Sequence, residues 1–511
     1  MLTSGGDARI AYGAIDRQNK YHCSPTPEPD VLAYGSSTAS TVTPGGFTAA
    51  ERLRLRLLRA ARVESPPFTY ARELARIRTE LLGLCELSEH SGVEVIFAAS
   101  GTDIHLIAAQ LVSEIKAPVL LTVMIEATET GSGVPAAVAG RHFSDCTALG
   151  IKVAAGTALF GSNAIEIAAI ASRTANGSPR AAALIDADVE ALVASAASAG
   201  RRILLNLVDV SKTGMIVPSL ACALELRRRF PASVDVLVDG CQFRLAPSTV
   251  RAYLQHGFWI ALTGSKFVGG PAFSGALLLP EAAAQRLGTR HLPPGFSSYS
   301  VRADWPTRLT ARKSLPDVEN YGLLLRWEAA LAELRGFRSL PNAAITSFLE
   351  NFAENVRRRL TSDPIFQLLP VPNLDRRPLA NLNSWDSTQT IFPFVLFHPP
   401  NAERHGAPLS CEETARVYKL LGTEIIDFGN FDLSAEMRAI ATLRCQLGQP
   451  VQCGTFRDFP VSALRLCASM RLIVDAVSPY GRGAKTVIGE ALLALDKAAL
   501  LATSIGQLDS M

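Results

Sequence analysis

Two residues set the chemistry within reach of this chain, Asp239 and Lys266. Each follows an apolar run: 234–238 leads to the aspartate, and 258–262 leads to Thr263-Gly264-Ser265-Lys266. Between them, 247–256 has helical spacing. Buried strands that end in polar residues and are joined by a helix form the α/β layout in which side chains at strand carboxyl ends meet in a ligand crevice. A lysine there is uncommon, because lysine is seldom buried without a task. Together the pair can do something specific. A lysine amine forms an imine with a carbonyl, and an aspartate can keep an aromatic ring nitrogen protonated, so that the ring withdraws electrons from a bound substrate.

Other stretches supply what such a site needs. The run 93–99 reads as a strand that turns through Ser100-Gly101-Thr102-Asp103 into a helix over 104–115. Small residues at a strand-to-helix turn expose backbone N–H groups to an anion at the helix N-terminus. A second strand, 118–125, leads into Glu126-Ala127-Thr128-Glu129-Thr130-Gly131, and a third, 203–210, leads into Ser211-Lys212-Thr213-Gly214-Met215-Ile216-Val217-Pro218.

In this order the segments resemble the pyridoxal phosphate (PLP) enzymes of fold type I, in the group of class V aminotransferases and cysteine desulfurases. Asp239-Gly240-Cys241-Gln242 matches that group's Asp-x-x-Gln. Thr263-Gly264-Ser265-Lys266 matches its Ser/Thr three residues before the lysine, and Gly269-Gly270-Pro271 and Gly275-Ala276-Leu277-Leu278 match its Gly-rich turn and apolar strand. The resemblance implies PLP as cofactor, with Lys266 as the Schiff-base lysine and Asp239 on the ring nitrogen. Gln242 then lies near the ring hydroxyl. Thr102, Thr263 and the Gly101 backbone hold the phosphate, with Ser100 and Ser265 also at the cofactor. Ser211 stands where the group has an asparagine on the ring hydroxyl. In 461–467, Arg465 matches an arginine that grips the substrate α-carboxylate with its planar fork; Arg471 competes for that role. Ser298 or Ser300, in a Gly/Ser-rich loop, is implied to reach a neighbouring subunit's phosphate. The small polar loop 34–40 is implied to lie over the site.

The chain also departs from the group. No aromatic ring stands at Ala127 or Thr130 to stack on the cofactor, which leaves a small residue there or a ring from His142 or Phe143. Ser265 replaces the histidine that desulfurases carry before the lysine, and Cys411 sits in what reads as a capped helix start. Desulfurase chemistry is therefore disfavoured. The leading expectation is an aminotransferase acting on an amino acid through Lys266 and a Cα carbanion. A lyase, or an enzyme forming C–C or C–X bonds in specialised metabolism, is the alternative, and a non-catalytic PLP-fold binding protein is the reading from a different class.

Composition sets the frame. A chain of 511 residues, 48% hydrophobic and 19% charged, has ample material for more than one core. A net charge of +3 is too mild to imply nucleic acid. The Arg52, Arg54, Arg56, Arg59 and Arg62 cluster interleaves with leucine and reads as a solvated helix face, and Pro66-Pro67 should break the helical run 52–87. Nine cysteines without paired spacing suggest reduced thiols, and no metal site is expected. No apolar run reaches the roughly 18 residues of a membrane helix, and no signal peptide is visible. The expected protein is cytoplasmic and homodimeric, with each site shared between subunits. Its fold is expected to be α/β of the PLP transferase type I kind. Residues 1–47 would form a mobile arm and active-site loop, 48–315 a large domain on a mostly parallel seven-stranded sheet, and 316–511 a smaller α/β domain entered through a bridging helix.

Overall fold

A computed structural model describes residues 2–13, 18–36, 39–87, 92–113, 118–379, 384–399, 406–426 and 434–505. Its strands are β1 (Val31–Ala33), β2 (Glu94–Ala98), β3 (Leu120–Ile125), β4 (Ile165–Ile170), β5 (Ile203–Asp209), β6 (Ile216–Val217), β7 (Val234–Gly240), β8 (Trp259–Thr263), β9 (Gly275–Leu279), β10 (Phe366–Leu368), β11 (Ile391–Leu396), β12 (Arg444–Gln446), β13 (Gly448–Phe456) and β14 (Phe459–Cys467).

The large sheet has the order β2-β9-β8-β7-β5-β3-β4, with the two-residue β6 added to β5. From β8 to β4 the neighbours are parallel, whereas β9 runs against both β8 and β2. This is the mostly parallel seven-stranded sheet that the sequence implies, with β6 as an extra rung. Every residue of β5, β7, β8 and β9 is buried. Strands covered on both faces need near-continuous apolar runs, not alternation; these strands have them, with Asn206 in β5 and Asp235 in β7 as buried polar interruptions that find partners in the Val123 carbonyl and in Arg202 and Arg286.

The C-terminal part holds an antiparallel sheet, β10-β11-β14-β13, with helix Asn342–Thr361 packed on β10 and β11. Helix Tyr321–Arg338 packs against helices Pro44–Ala60 and Pro66–Leu84. The helical break falls as expected: Pro66 and Pro67 open the second helix, where a missing N–H costs nothing.

The N-terminal segment departs from the mobile arm that its polar, proline-rich sequence suggested. Its described residues are docked. Arg326, buried in helix Tyr321–Arg338, donates to the carbonyls of Leu2, Ser4 and Gly5 at 2.9, 2.6 and 2.7 Å. Further on, β1 pairs in parallel with β12. Backbone carbonyls need donors once buried, and a single guanidinium here supplies three of them. Among the described residues, no helix is long and apolar enough to cross a membrane.

Candidate active site

In the parallel register of β7 and β8, Asp239 lies opposite Ala261 and Gly240 opposite Leu262. The two strands therefore end together, and Asp239 meets the 263–266 turn at one sheet edge. Helix Gly101–Val112, which follows β2, crosses over β9 and β8 and reaches β5. This path brings His105 to Asp239, with Nε2 3.1 Å from Oδ2, while the Cys241 N–H donates to Oδ1 at 3.1 Å. The close approach depends on Gly101, because a Cβ there would lie 2.8 Å from the Cys241 sulfur. Burial on its own would raise the Asp239 pKa. The charge and hydrogen bond of His105, with Lys266 behind them, outweigh it and hold the carboxyl well below its usual range. Asp239 stays ionised.

Lys266 lies in the turn after β8 with a φ of +57°, a left-handed conformation uncommon for a residue with a Cβ. Strain of this kind gathers at functional positions. Two adjoining cavities share Gly131, Asp239, Cys241 and Lys266. One extends to Ser100, Thr102, Thr263 and Ser265. The other extends to Gln242, Lys212, Gln449 and Arg465. The cleft thus has an anion end at the helix N-terminus and a second end at Arg465.

At the anion end, Ser100 caps the helix by accepting the Asp103 N–H at 3.3 Å, and its hydroxyl donates to the Asp103 carboxylate at 2.5 Å. Thr263 donates to the Cys241 carbonyl at 2.5 Å, and Ser265 lies 3.4 Å from Thr263. A residue that the sequence did not single out completes this end. Arg9 donates to Ser100 Oγ at 3.2 Å and to Thr102 Oγ1 at 3.4 Å, sits over the Phe273 ring at 4.8 Å, and is paired with Asp7. Burial, then the charge of Asp7, push the Asp103 carboxyl up to about 7. Near neutral pH Asp103 is therefore only partly charged, and opposes an incoming anion less than an ordinary aspartate would.

The other end is organised by Glu129, also unassigned from sequence. Its carboxylate accepts from Arg173 Nε at 2.8 Å, Ser211 Oγ at 2.7 Å, Thr213 Oγ1 at 2.7 Å and the Thr213 N–H at 3.1 Å. The Ser211 hydroxyl is thus engaged by Glu129, which lines the cleft wall together with Val210 and Lys212. Arg465 is buried and lines the cleft, donating to the Gln449 carbonyl from Nη2 at 2.8 Å and Nε at 3.2 Å. Arg471 does not reach it; that side chain donates to Thr41 and Ala33 and fastens the N-terminal segment.

The ring candidates also lie elsewhere. His142 Nδ1 is 2.7 Å from the Tyr299 hydroxyl, and Phe143 packs on the Tyr299 ring at 5.6 Å. Thr130 and Gly131 line the cleft where a ring was sought. Ser300 is turned inward, donating to Asp304 at 3.1 Å and accepting from Trp305 Nε1 at 2.8 Å, while Ser298 donates to the Gly295 carbonyl at 2.8 Å. Cys411 opens a helix capped by Ser410 and Glu413, with its sulfur 3.2 Å from Ser462 Oγ. In the loop 34–40, Ser36 accepts from Arg244 at 2.7 Å and Ser40 donates to the Gly270 carbonyl at 2.9 Å; Ser37 and Thr38 lie outside the described residues. His105, Asp239 and Cys241 have donor atoms within 4.8 Å of one another, a grouping that could suit a metal. Burial, then the Asp239 charge, push the Cys241 thiol well above its ordinary range.

No protein-family model and no curated protein matches the sequence. Solved structures do match. Mouse CSAD aligns with a TM-score of 0.51 at 13% identity, over 92% of this chain and 84% of its own. The cysteine desulfurase CsdA from Escherichia coli gives 0.51 at 14% identity, over 93% and 96%. A C-DES variant with glycine covalently linked to its PLP cofactor gives 0.50 at 15% identity, over 91% and 99%. At such identities what is shared is the architecture, and the chain has the fold of the type I PLP-dependent enzymes.

Proposed function

We propose that this chain is a PLP-dependent enzyme acting on an amino acid, with amino-group transfer as its reaction. The observation that carries the reading is the meeting of Lys266 and Asp239 in one cleft that runs from a helix N-terminus to a buried arginine. The residues fit the cofactor. Thr130 Oγ1 and Gln242 Oε1, both on the cleft wall, are buried polar atoms without a hydrogen-bond partner among the described residues, as is His105 Nδ1 behind Asp239. Buried polar atoms are costly when unpaired, and a polar ring in the cleft would offer partners to Thr130 and Gln242.

PLP in this cleft supplies an aldehyde for an amine and a ring that draws electrons from the substrate α-carbon. The chain's own residues do the rest. Asp239, kept ionised, accepts a ring N–H and holds positive charge on the ring, and His105 fixes its orientation. Ser100, Thr102 and the N–H groups at the start of helix Gly101–Val112 bind the phosphate. Lys266 Nζ would take the α-proton and deliver it to the carbon the cofactor contributes as its aldehyde, so that the substrate leaves as a keto acid and its amino group stays behind, and Arg465 would orient the α-carboxylate. The same reading makes the protein a cytoplasmic homodimer with a site at each subunit interface. All nine cysteines are unpaired, which supports a reducing compartment, and sedimentation would read the dimer.

Absorbance of the PLP-treated protein tests the reading. A band at the edge of the visible is expected, shifting with one class of amino acid and missing in Lys266→Ala. A protein that takes up no PLP would overturn it. A keto acid released with the spectral shift identifies transfer, whereas ammonia or a cleaved side chain identifies a lyase.

Arg9 yields a separate expectation. Its guanidinium touches the Ser100 and Thr102 hydroxyls of the anion end, so Arg9→Ala should weaken PLP binding by about tenfold or more. Pyridoxal, which lacks the phosphate, should bind wild type and variant alike. Fluorescence titration of the cofactor-free protein measures both.

A further inference from the structure

The Arg465 end of the cleft holds more positive charge than amino-group transfer uses. Lys212, Lys266 and Arg465 all line it, with Asp239 on the cofactor side and Glu129 as the one other acid. In the reading above Lys266 serves the cofactor, and an α-carboxylate needs one cation. One cation is left over.

The nearby acid does not neutralise it. Both oxygens of Glu129 are engaged by Arg173, Ser211 and Thr213. Among the described residues, the Lys212 ammonium meets the Ala127 carbonyl at 3.3 Å, and Arg465 meets the carbonyls of Gln449 and Lys212; no carboxylate pairs with either. Arg465 is buried and Lys212 half-buried, so both cations have lost water to neutral carbonyls, with the already engaged Glu129 acting on them only at a distance. Burial, then the charges of Arg465 and Lys266, bring the Lys212 pKa down to about 8 against the pull of Glu129. An arriving anion would reverse that shift.

We propose that the substrate is an amino acid with a second acidic group on its side chain, Arg465 receiving the α-carboxylate and Lys212 the side-chain acid. This rests on the PLP reading for the place of the α-carbon.

The test compares succinate and glutarate with butyrate, by calorimetric titration of the full-length PLP-loaded protein and again without cofactor. The dicarboxylates should bind at least about tenfold more tightly than butyrate. Lys212→Met should erase that preference, weakening the dicarboxylates far more than butyrate, and Lys212→Arg should retain most of it. Equal affinities in the wild type, or a preference that survives Lys212→Met, would overturn the proposal. If Lys212→Met does not fold, the wild-type comparison and Lys212→Gln decide. Failure of the cofactor reading shows separately, as absence of the Lys266-dependent band whatever the dicarboxylate result.

Discussion

Asp239→Asn is expected to reduce turnover about 10³-fold while the protein stays folded and still takes up PLP. The substitution keeps the shape of the side chain and an oxygen for the Cys241 N–H. What it removes is charge. In the folded chain the carboxyl lies well below its usual range because His105 and Lys266 overcome the cost of burial. Asp239 is therefore anionic at every pH at which the protein would work, and a ring nitrogen facing it stays protonated. Asparagine can accept one hydrogen bond but cannot hold that proton in place, so the electron-withdrawing power of the ring falls. The loss should appear in kcat with little change in KM, because the contacts proposed for the substrate lie at the Arg465 end. It should also appear as a pH-dependent change in the bound-cofactor spectrum, which a merely structural residue would not cause. A folded variant with wild-type kcat would show that Asp239 does not serve the ring. The sign of the coupling follows from the depressed pKa. Asp239 contributes stability above the ordinary carboxylate range, and that contribution is lost as the pH falls through its lowered folded-state pKa.

The parts of this site that were legible in the sequence are those with local physical signatures. Strands β7 and β8 are mostly apolar runs, β7 interrupted only by Asp235, because buried parallel strands need apolar residues on both faces, and each ends abruptly on polar residues. Gly101 and the small residues around it mark a turn that a side chain would block. Arg465 stands out as a charge within the apolar run of β14, which is buried from Val461 to Cys467. What escaped notice depends on partners far along the chain. His105 lies on a helix buried on nearly all sides, where a lone histidine reads as core, and its partner Asp239 is 134 positions away. Arg9 belongs to a segment without periodicity, and Ser100 lies 91 positions beyond it. Ser211 looked like a cofactor ligand by its place in a motif, but the local pattern did not show Glu129, 82 positions earlier, as the acceptor of its hydroxyl. Glu129 had left a signal of its own, as one of two acids just past a fully buried strand.

A buried ion pair gives the largest expected effect on stability. Arg376 donates to Asp209 from Nε at 2.7 Å and Nη2 at 2.6 Å, and Tyr253 donates to the same carboxylate at 2.6 Å. Arg376 Nη1 also donates to the Asp386 carbonyl at 2.5 Å, while the Asp386 carboxylate accepts from the Ala246 N–H at 2.8 Å and Thr249 at 2.7 Å. Asp209 ends β5, two positions before Ser211, whereas Arg376 and Asp386 come from the segment ahead of β11. The network therefore joins the cofactor-side edge of the large sheet to the C-terminal part of the chain. Burial alone would lower the Arg376 pKa, but the charge and hydrogen bonds of Asp209 raise it instead, so the pair remains ionised. Arg376→Met should destabilise the protein by about 3–5 kcal/mol, because it leaves Asp209 charged, buried and held only by a tyrosine. Denaturant unfolding followed by tryptophan fluorescence would measure it. The double variant Asp209→Asn with Arg376→Met should be more stable than Arg376→Met alone, since it removes the orphaned charge as well. A single variant that loses less than about 1 kcal/mol, or a double variant whose loss is the sum of the singles, would mean that solvent reaches this pair and that the two parts of the chain are joined by packing alone.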